Sequence, residues 1–356
     1  LKVWGFELPS SIAMKSNFGR FTRNDGDMMG IQYGTSDFFE MEDLYDQELL
    51  KNRAVPGTPS YVWPVYDAQK NIVKPGESDR MKELVEKEHF NSLDIPFFFK
   101  DNPNRSKSYL ASTARWLDSL GYLKMSYVDL GIEPHNAADY KNIRSLASVV
   151  KSANPGILRF CTVETTPQDK SWGNLYGDVD IWAPLWGMWD EKTAAERLEK
   201  GEELWSYTAL CQGPAGTPWW QIDMDPLNFR SPLWISWHYN ITGFHYWSSA
   251  YWDDYGSLQG VWESPHYQGQ FWGEGLLLYP GNVAGTDHFV PSIRLKLYRE
   301  AEEDYEYMTM ASKMGMKEEV DKIVAGIATS FQDWSHDNSA YEEAREKLAD
   351  LILSKK

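Results

Sequence analysis

The feature that most restricts the fold is a repeated alternation of short apolar runs with amphipathic or polar stretches. Eight runs can be marked: "SIAMKSNFG", "SYVWPVY", "IPFFFK", "SYVDLGIE", "ILRFCTVE", "VDIWAPLW", "LWSYTAL" and "GFHYWSSA". Between them lie helical patterns such as "DRMKELVEKEHFNSL", "KSYLASTARWLDSLGY" and "NAADYKNIRSLASVVKSA". Strands alternating with helices predict a parallel sheet, and eight such units in one chain predict an α/β fold of the (β/α)8, TIM-like barrel kind. No GxGxxG or GxxxxGK[ST] string follows a run, which argues against a dinucleotide or nucleotide site. From Pro291 onward the pattern is helical, and its acid-rich faces are expected to meet water. The expected organisation is a barrel over residues 1–312 with C-terminal helices at 313–356 packed on it. A Gly- and ring-rich connection after the eighth run, "YWDDYGSLQGVWESPHYQGQFWGEGLLLYPGNVAG", is expected to fold over the barrel mouth.

In such a barrel the chemistry sits at the carboxyl ends of the strands, so acids at those ends become candidates. Glu133 closes "SYVDLGIE", Glu164 closes "CTVE", and Asp223 and Asp225 follow the seventh run in "QIDMDP". Strand alternation would put Asp129, Gly131 and Glu133 on one face, with Val128, Leu130 and Ile132 toward the helices. Glycoside cleavage needs two carboxyl groups beside the scissile oxygen, and Glu133 suits the proton-donor role, with Asp129, Glu164 and Asp223 as possible partners. His135 reads as a loop residue. Neither a Ser/His/Asp order nor an HExxH string is present.

Composition points the same way. Aromatic residues make up 15% of the chain, with 17 Trp and 20 Tyr, more than a core needs, and ring faces suit the C–H faces of sugars. Trp247 and Trp252 in "HYWSSAYW" are the leading candidates for a sugar platform, followed by Tyr207, Trp186 and Trp220, then Trp189 and Trp219. Arg294 and Arg299 read as salt-bridge partners of the acids in "EAEEDYEY". With 52 acidic and 35 basic residues the net charge of −17 repels phosphate backbones, so the expected partner is a carbohydrate and not a nucleic acid. No run approaches the length of a membrane span. Cys161 and Cys211 lack metal-ligand or redox spacing and read as buried thiols; neither a metal nor a cofactor is expected. Oligomeric state is left open.

Several stretches taken together, "LPSSIAMKSNFG", "LLKNRAVP", "YVDLGIEP", "GFHYWSSAYW", "LLLYPG" and "VPSIRLKLYREAEEDYEYM", resemble in order the catalytic barrel of domain-of-unknown-function family 4091, which includes glycoside hydrolase family 123. The resemblance implies a (β/α)8 glycosidase and, in family 123, a β-N-acetylgalactosaminidase that uses the substrate's own 2-acetamido group. It also implies that Glu133, followed by Pro134, is the general acid/base. The aspartate that precedes this glutamate in the family is Ile132 here, so the acetamide mechanism does not carry over intact. Another acid would have to supply the charge, or the sugar would lack the acetamide, or the chain would bind sugar without cleaving it. Members of the family commonly carry a β-sandwich before the barrel and are exported, which implies a secreted or periplasmic protein. The chain begins at Leu1 without a leader pattern, so a targeting peptide is expected to have been removed or to lie outside these residues.

Overall fold

The structure, a computed structural model, describes residues 3–67, 72–96, 99, 102–210 and 216–355. They fall into two compact units, one drawn from Leu1–Ala54 and Thr208–Lys356, the other from Val55–Tyr207. The class is α/β, built from parallel strands and helices in the repeating order of TIM-like proteins, with helices at the C-terminus.

The first unit opens with strand β1 (Lys15–Asn17) and helices α1 (Arg23–Met29) and α2 (Ser36–Leu50). Thr22 and Asp25 form a reciprocal capping box at the start of α1, and Gly30 ends it in the left-handed conformation.

The second unit begins with an antiparallel hairpin, β2 (Val65–Asp67) and β3 (Ile72–Lys74). The run "SYVWPVY" is therefore not a barrel strand. Its first half is a 3-10 turn at Ser60–Val62, and Pro64, which has no N–H to give a sheet, separates that turn from the hairpin. Helix α3 (Ser78–Glu86) leads to β4 (Leu93–Asp94), within the stretch that "IPFFFK" continues; Phe97, Phe98 and Lys100 lie outside the described residues. Then follow α4 (Pro103–Leu120), β5 (Ser126–Ile132), α5 (Ala137–Ala153), β6 (Leu158–Thr162), β7 (Ile181–Trp182), α6 (Glu191–Glu199) and β8 (Glu203–Tyr207). Strands β4 to β8 pair in parallel in sequence order. Their register puts Tyr127, Phe160 and Trp205 on one face, since partners in a parallel ladder point the same way. The three buried rings meet there, with centroids 5.2 to 5.6 Å apart.

The first unit resumes with α7 (Leu227–His238) and β9 (Gly243–His245), which pairs in parallel with β1. The ring-rich connection holds α8 (Leu258–Glu263), hairpin β10 (His266–Tyr267) with β11 (Phe271–Trp272), and β12 (Leu278–Tyr279), which pairs with β13 (Val290–Pro291). Helices α9 (Ile293–Lys313), α10 (Lys317–Ala325) and α11 (Asn338–Ser354) complete it, packed on one another and on α7. Six of the eight apolar runs thus contain a parallel strand, two in this unit and four in the other, and the seventh parallel strand, β4, lies just before "IPFFFK".

Much of the acid-rich face of α9 does not meet water, although Glu300 does. Glu302, Asp304 and Glu306 are buried. Asp304 accepts from Arg230 Nε at 2.7 Å, from Trp234 Nε1 at 2.9 Å and from Arg345. Glu306 takes the Ala13 N–H at 2.8 Å and Glu302 the Met14 N–H at 3.3 Å, which satisfies backbone donors leading into β1. Arg294 is buried too, and it donates to the carbonyls of Gly273 and Leu276 instead of to acids on its own helix. Arg299 pairs with Glu303 at 2.9 Å, as the spacing predicts.

Candidate active site

Glu133 is placed by a defect in β5. Asp129 pairs with Phe160 and Ile132 with Thr162, so three steps along β5 match two along β6, a β-bulge. The bulge overturns simple alternation. A side chain at Gly131 would meet Ile143 of α5 at 2.8 Å, so position 131 faces the helix, and Cys161, a buried thiol, reaches the Gly131 carbonyl at 3.3 Å. Ile132, expected toward the helices, instead shares the face of Asp129 and Thr162 and is 72% exposed.

The next residue turns sharply. Glu133 has φ +46°, the left-handed region that side chains avoid, although Pro134 favours extended backbone in the residue before it. Such strain costs on the order of 1–3 kcal/mol and persists only where the surroundings enforce it. Here the Glu133 N–H is held by Thr162, at 3.0 Å to the carbonyl and 3.2 Å to the hydroxyl, and Asn136 caps α5 three residues later through the N–H groups of Ala138 and Asp139. The turn brings Glu133 Oε1 to the Tyr207 hydroxyl, which donates to it at 2.6 Å. Tyr207 ends β8 on the face that carries Trp205, so the carboxylate stands above the buried ring cluster.

Glu164 lies two residues past the end of β6, on the parity of Phe160 and Thr162. Burial pushes its carboxyl above the ordinary range, and the negative charge of Glu133 pushes it the same way; a hydrogen bond from Gln168 and the nearby His135 act in opposition. Asp129 is half-buried and accepts the Gly131 N–H at 2.9 Å, which ties it to the bulge. His135 is 68% exposed, with Nε2 at 4.0 Å from Glu133, a loop residue as expected. In the second unit Glu133, past the end of β5, thus meets Tyr207 at the end of β8, with Glu164 past β6 near enough to feel its charge, while Asp129 lies three residues short of the end of β5.

The other candidates are divided between the two units. Asp225 spends its carboxylate on the Leu227 N–H at the start of α7, and Asp223 sits exposed in the preceding turn; both belong to the first unit. Trp186, Trp220 and Trp252 cannot act as platforms, because each is 0% exposed. Trp220 packs among Phe18, Phe244 and Tyr298, and Trp252 donates to the Leu278 carbonyl and packs against Phe289. Trp247 remains, half-buried in the first unit. Cys211 lies outside the described residues.

One residue that the sequence reading passed over stands out. Glu274, between Gly273 and Gly275 in "WGEGLLLYPG", is fully buried, and burial raises its carboxyl to about 7 against hydrogen bonds from Trp247 and Gln221. The signal that could have found it is an acid flanked by two glycines inside a ring-rich segment. Among the described residues no cluster of His, Cys, Asp or Glu is arranged to hold a metal, and no helix is long and apolar enough to cross a membrane.

Residues 71–311 match the model of the glycoside hydrolase 123 catalytic domain. The chain belongs to that family. It is a glycoside hydrolase, and no curated protein matches it. Among solved structures this family-123 chain is similar to one from a study of two fungal β-1,4-galactanases, at 12% identity over 80% of this chain and 98% of that one, with a TM-score of 0.41. It is also similar to an α-L-arabinofuranosidase from Thermotoga maritima, at 10% identity over 82% of this chain and 71% of that one, with a TM-score of 0.45. A glucosidase from Croceicoccus marinus shares 10% identity over 84% of this chain and 68% of that one, at 0.40. Such distant likenesses carry no argument about substrate.

Proposed function

We propose that this family-123 hydrolase cleaves a glycan with Glu133 as general acid/base and Glu164 as the second carboxylate. The observation that carries this reading is the strained Glu133 backbone beyond the bulge, with its carboxylate fixed by the Tyr207 hydroxyl. Strain of this kind gathers where a side chain must be aimed, and bulges recur beside active sites. In the reaction Glu133 gives its proton to the glycosidic oxygen as the C–O bond breaks, Glu164 faces the developing oxocarbenium charge, and Glu133 then takes a proton from the incoming water.

A second reading exchanges the roles. Burial makes Glu164 hold its proton more firmly than an ordinary carboxyl, so Glu164 would be the donor and Glu133 its carboxylate partner. Leaving groups separate the two. Loss of the proton donor spares substrates with good leaving groups, such as 2,4-dinitrophenyl glycosides, whereas loss of the charged partner impairs good and poor leaving groups alike. Glu133→Gln should show the first pattern and Glu164→Gln the second; the opposite assignment supports the exchange, and wild-type turnover in both variants would remove the pair from catalysis.

The substrate follows from position 132. The family's usual activity, on β-N-acetylgalactosaminides, relies on an acid there, and an exposed isoleucine cannot hold an acetamide N–H. Two protein carboxylates acting on a sugar without a 2-acetamido group fit this face better. Paired 4-nitrophenyl glycosides with and without that group test the point: faster cleavage of the N-acetylated member would reject it.

A further inference from the structure

In the first unit a glycine-flanked turn drives a carboxyl into the core beside half-buried rings. Gly273 and Gly275 have φ +69° and +68°, and a side chain at Gly275 would meet the Trp247 ring at 2.7 Å, so the turn is closed tightly around Glu274. Glu274 Oε1 accepts from Trp247 Nε1 at 2.7 Å, and Oε2 accepts from Gln221 Nε2 at 2.6 Å. Trp247 in turn packs tilted against Tyr251 at 4.9 Å and edge to face with Tyr267 at 5.7 Å between centroids, and these two rings lie 5.4 Å apart. All three rings are half-buried, unlike the sealed Trp220 and Trp252 nearby in sequence. The Gln221 amide oxygen is buried without a hydrogen-bond partner, an acceptor left over beside the ring wall.

Burying a carboxyl is costly, and a fold that needed only the packing of Trp247 could use an amide or a carbonyl in its place. We propose that Glu274 is a positioning residue for a pyranose-binding platform walled by Trp247, Tyr251 and Tyr267, its carboxyl fixing the indole so that the ring faces are set before a sugar arrives. The proposal rests on the glycosidase reading for its ligand class, since ring faces that hold the C–H face of a sugar gain from being preorganised. The ionisable groups facing Glu274 are Arg294 from α9 and Tyr246 and Tyr255 from the loops. When Glu274 ionises, the Trp247 N–H donates to a charged acceptor and is held more firmly.

The test is calorimetric titration of the whole chain with methyl β-D-galactopyranoside and its 2-acetamido-2-deoxy counterpart, neither of which requires turnover for the readout. Trp247→Ala should weaken Kd about tenfold, and Glu274→Gln and Trp247→Phe, which disturb the same hydrogen bond from opposite ends, about threefold each. Wild-type binding should tighten as pH rises through about 7, and Glu274→Gln should lose that dependence. Trp247→Phe keeps the test alive if Glu274→Gln does not fold. A lowered melting temperature with Kd and its pH profile unchanged in Glu274→Gln would make the residue merely structural and overturn the proposal. Wild-type affinity in Trp247→Ala, or no binding of either glycoside by the wild type, would overturn it as well. Normal hydrolysis by Glu133→Gln would instead sink the catalytic assignment and leave these Kd values standing.

Discussion

Two groups of carboxylates in this chain show opposite designs. On α9, Asp304 and Glu306 are buried, with arginine partners, and Glu302 beside them is buried against a backbone donor. At the end of β5, Glu133 keeps part of its surface open, stands on a strained backbone, and touches a tyrosine hydroxyl with a second carboxyl near enough to feel its charge. A carboxylate that holds a fold together, as Asp304 does, is saturated with donors. One poised for chemistry keeps unused capacity and is fixed by the chain around it.

Removing the acid at each place breaks the comparison most directly. Glu133→Gln keeps the shape and the Tyr207 contact, so turnover of substrates with poor leaving groups should fall by about 10²–10⁴-fold with little change in melting temperature. Steady-state kinetics beside thermal denaturation would show it. Asp304→Ala should do the reverse. It takes from Arg230 and Arg345 their one shared buried partner, leaving them only the more exposed Glu342 and Glu300, and a broken buried pair costs about 3–5 kcal/mol, to be seen as a lower urea midpoint. If Asp304→Ala were neutral for stability, the contrast between the two groups would fail. Tyr207→Phe sits between them, because it removes one hydroxyl from Glu133 and nothing from the packed rings beneath. A hydrogen bond to a charged group contributes about 1.5–3 kcal/mol, so kcat should fall about tenfold or somewhat more while the fold stays intact.

The same contrast explains what the sequence could reveal. The α/β class and six of the parallel strands follow from apolar runs of strand length between helical stretches, a pattern set by local periodicity. Glu133 was legible because a strand end followed by proline is a local signal. The face of Ile132 was not, because a bulge is a mismatch between two strands and leaves no mark in one of them. The second apolar run failed for a related reason: "SYVWPVY" has the composition of a strand, but Pro64 and the hairpin partner at Ile72–Lys74 decide its fate. Acid-rich α9 was read as solvated because its partners, Arg230, Arg345 and the N–H groups leading into β1, lie far away in the chain. Glu274 escaped for the same reason, since its depth is fixed by Trp247 and Gln221 on other segments.

The smallest effect tests the coupling itself. Glu164 titrates high partly because Glu133 is negative, so Glu133→Gln should move the Glu164 carboxyl back toward the ordinary carboxylate range, as read by the carbon-13 shift of its side chain. The sign extends to stability. A carboxyl raised by folding keeps its proton where the unfolded chain has already released it, so the native state binds more protons and stability falls as pH rises from the ordinary value of 4.5 through the raised one. In Glu133→Gln that window narrows, and the pH dependence of the urea midpoint over it should flatten. An unchanged Glu164 titration would mean that burial alone lifts it and that the two carboxyls do not share a site. The strand-end group would then consist of Glu133 and Tyr207 without a second acid.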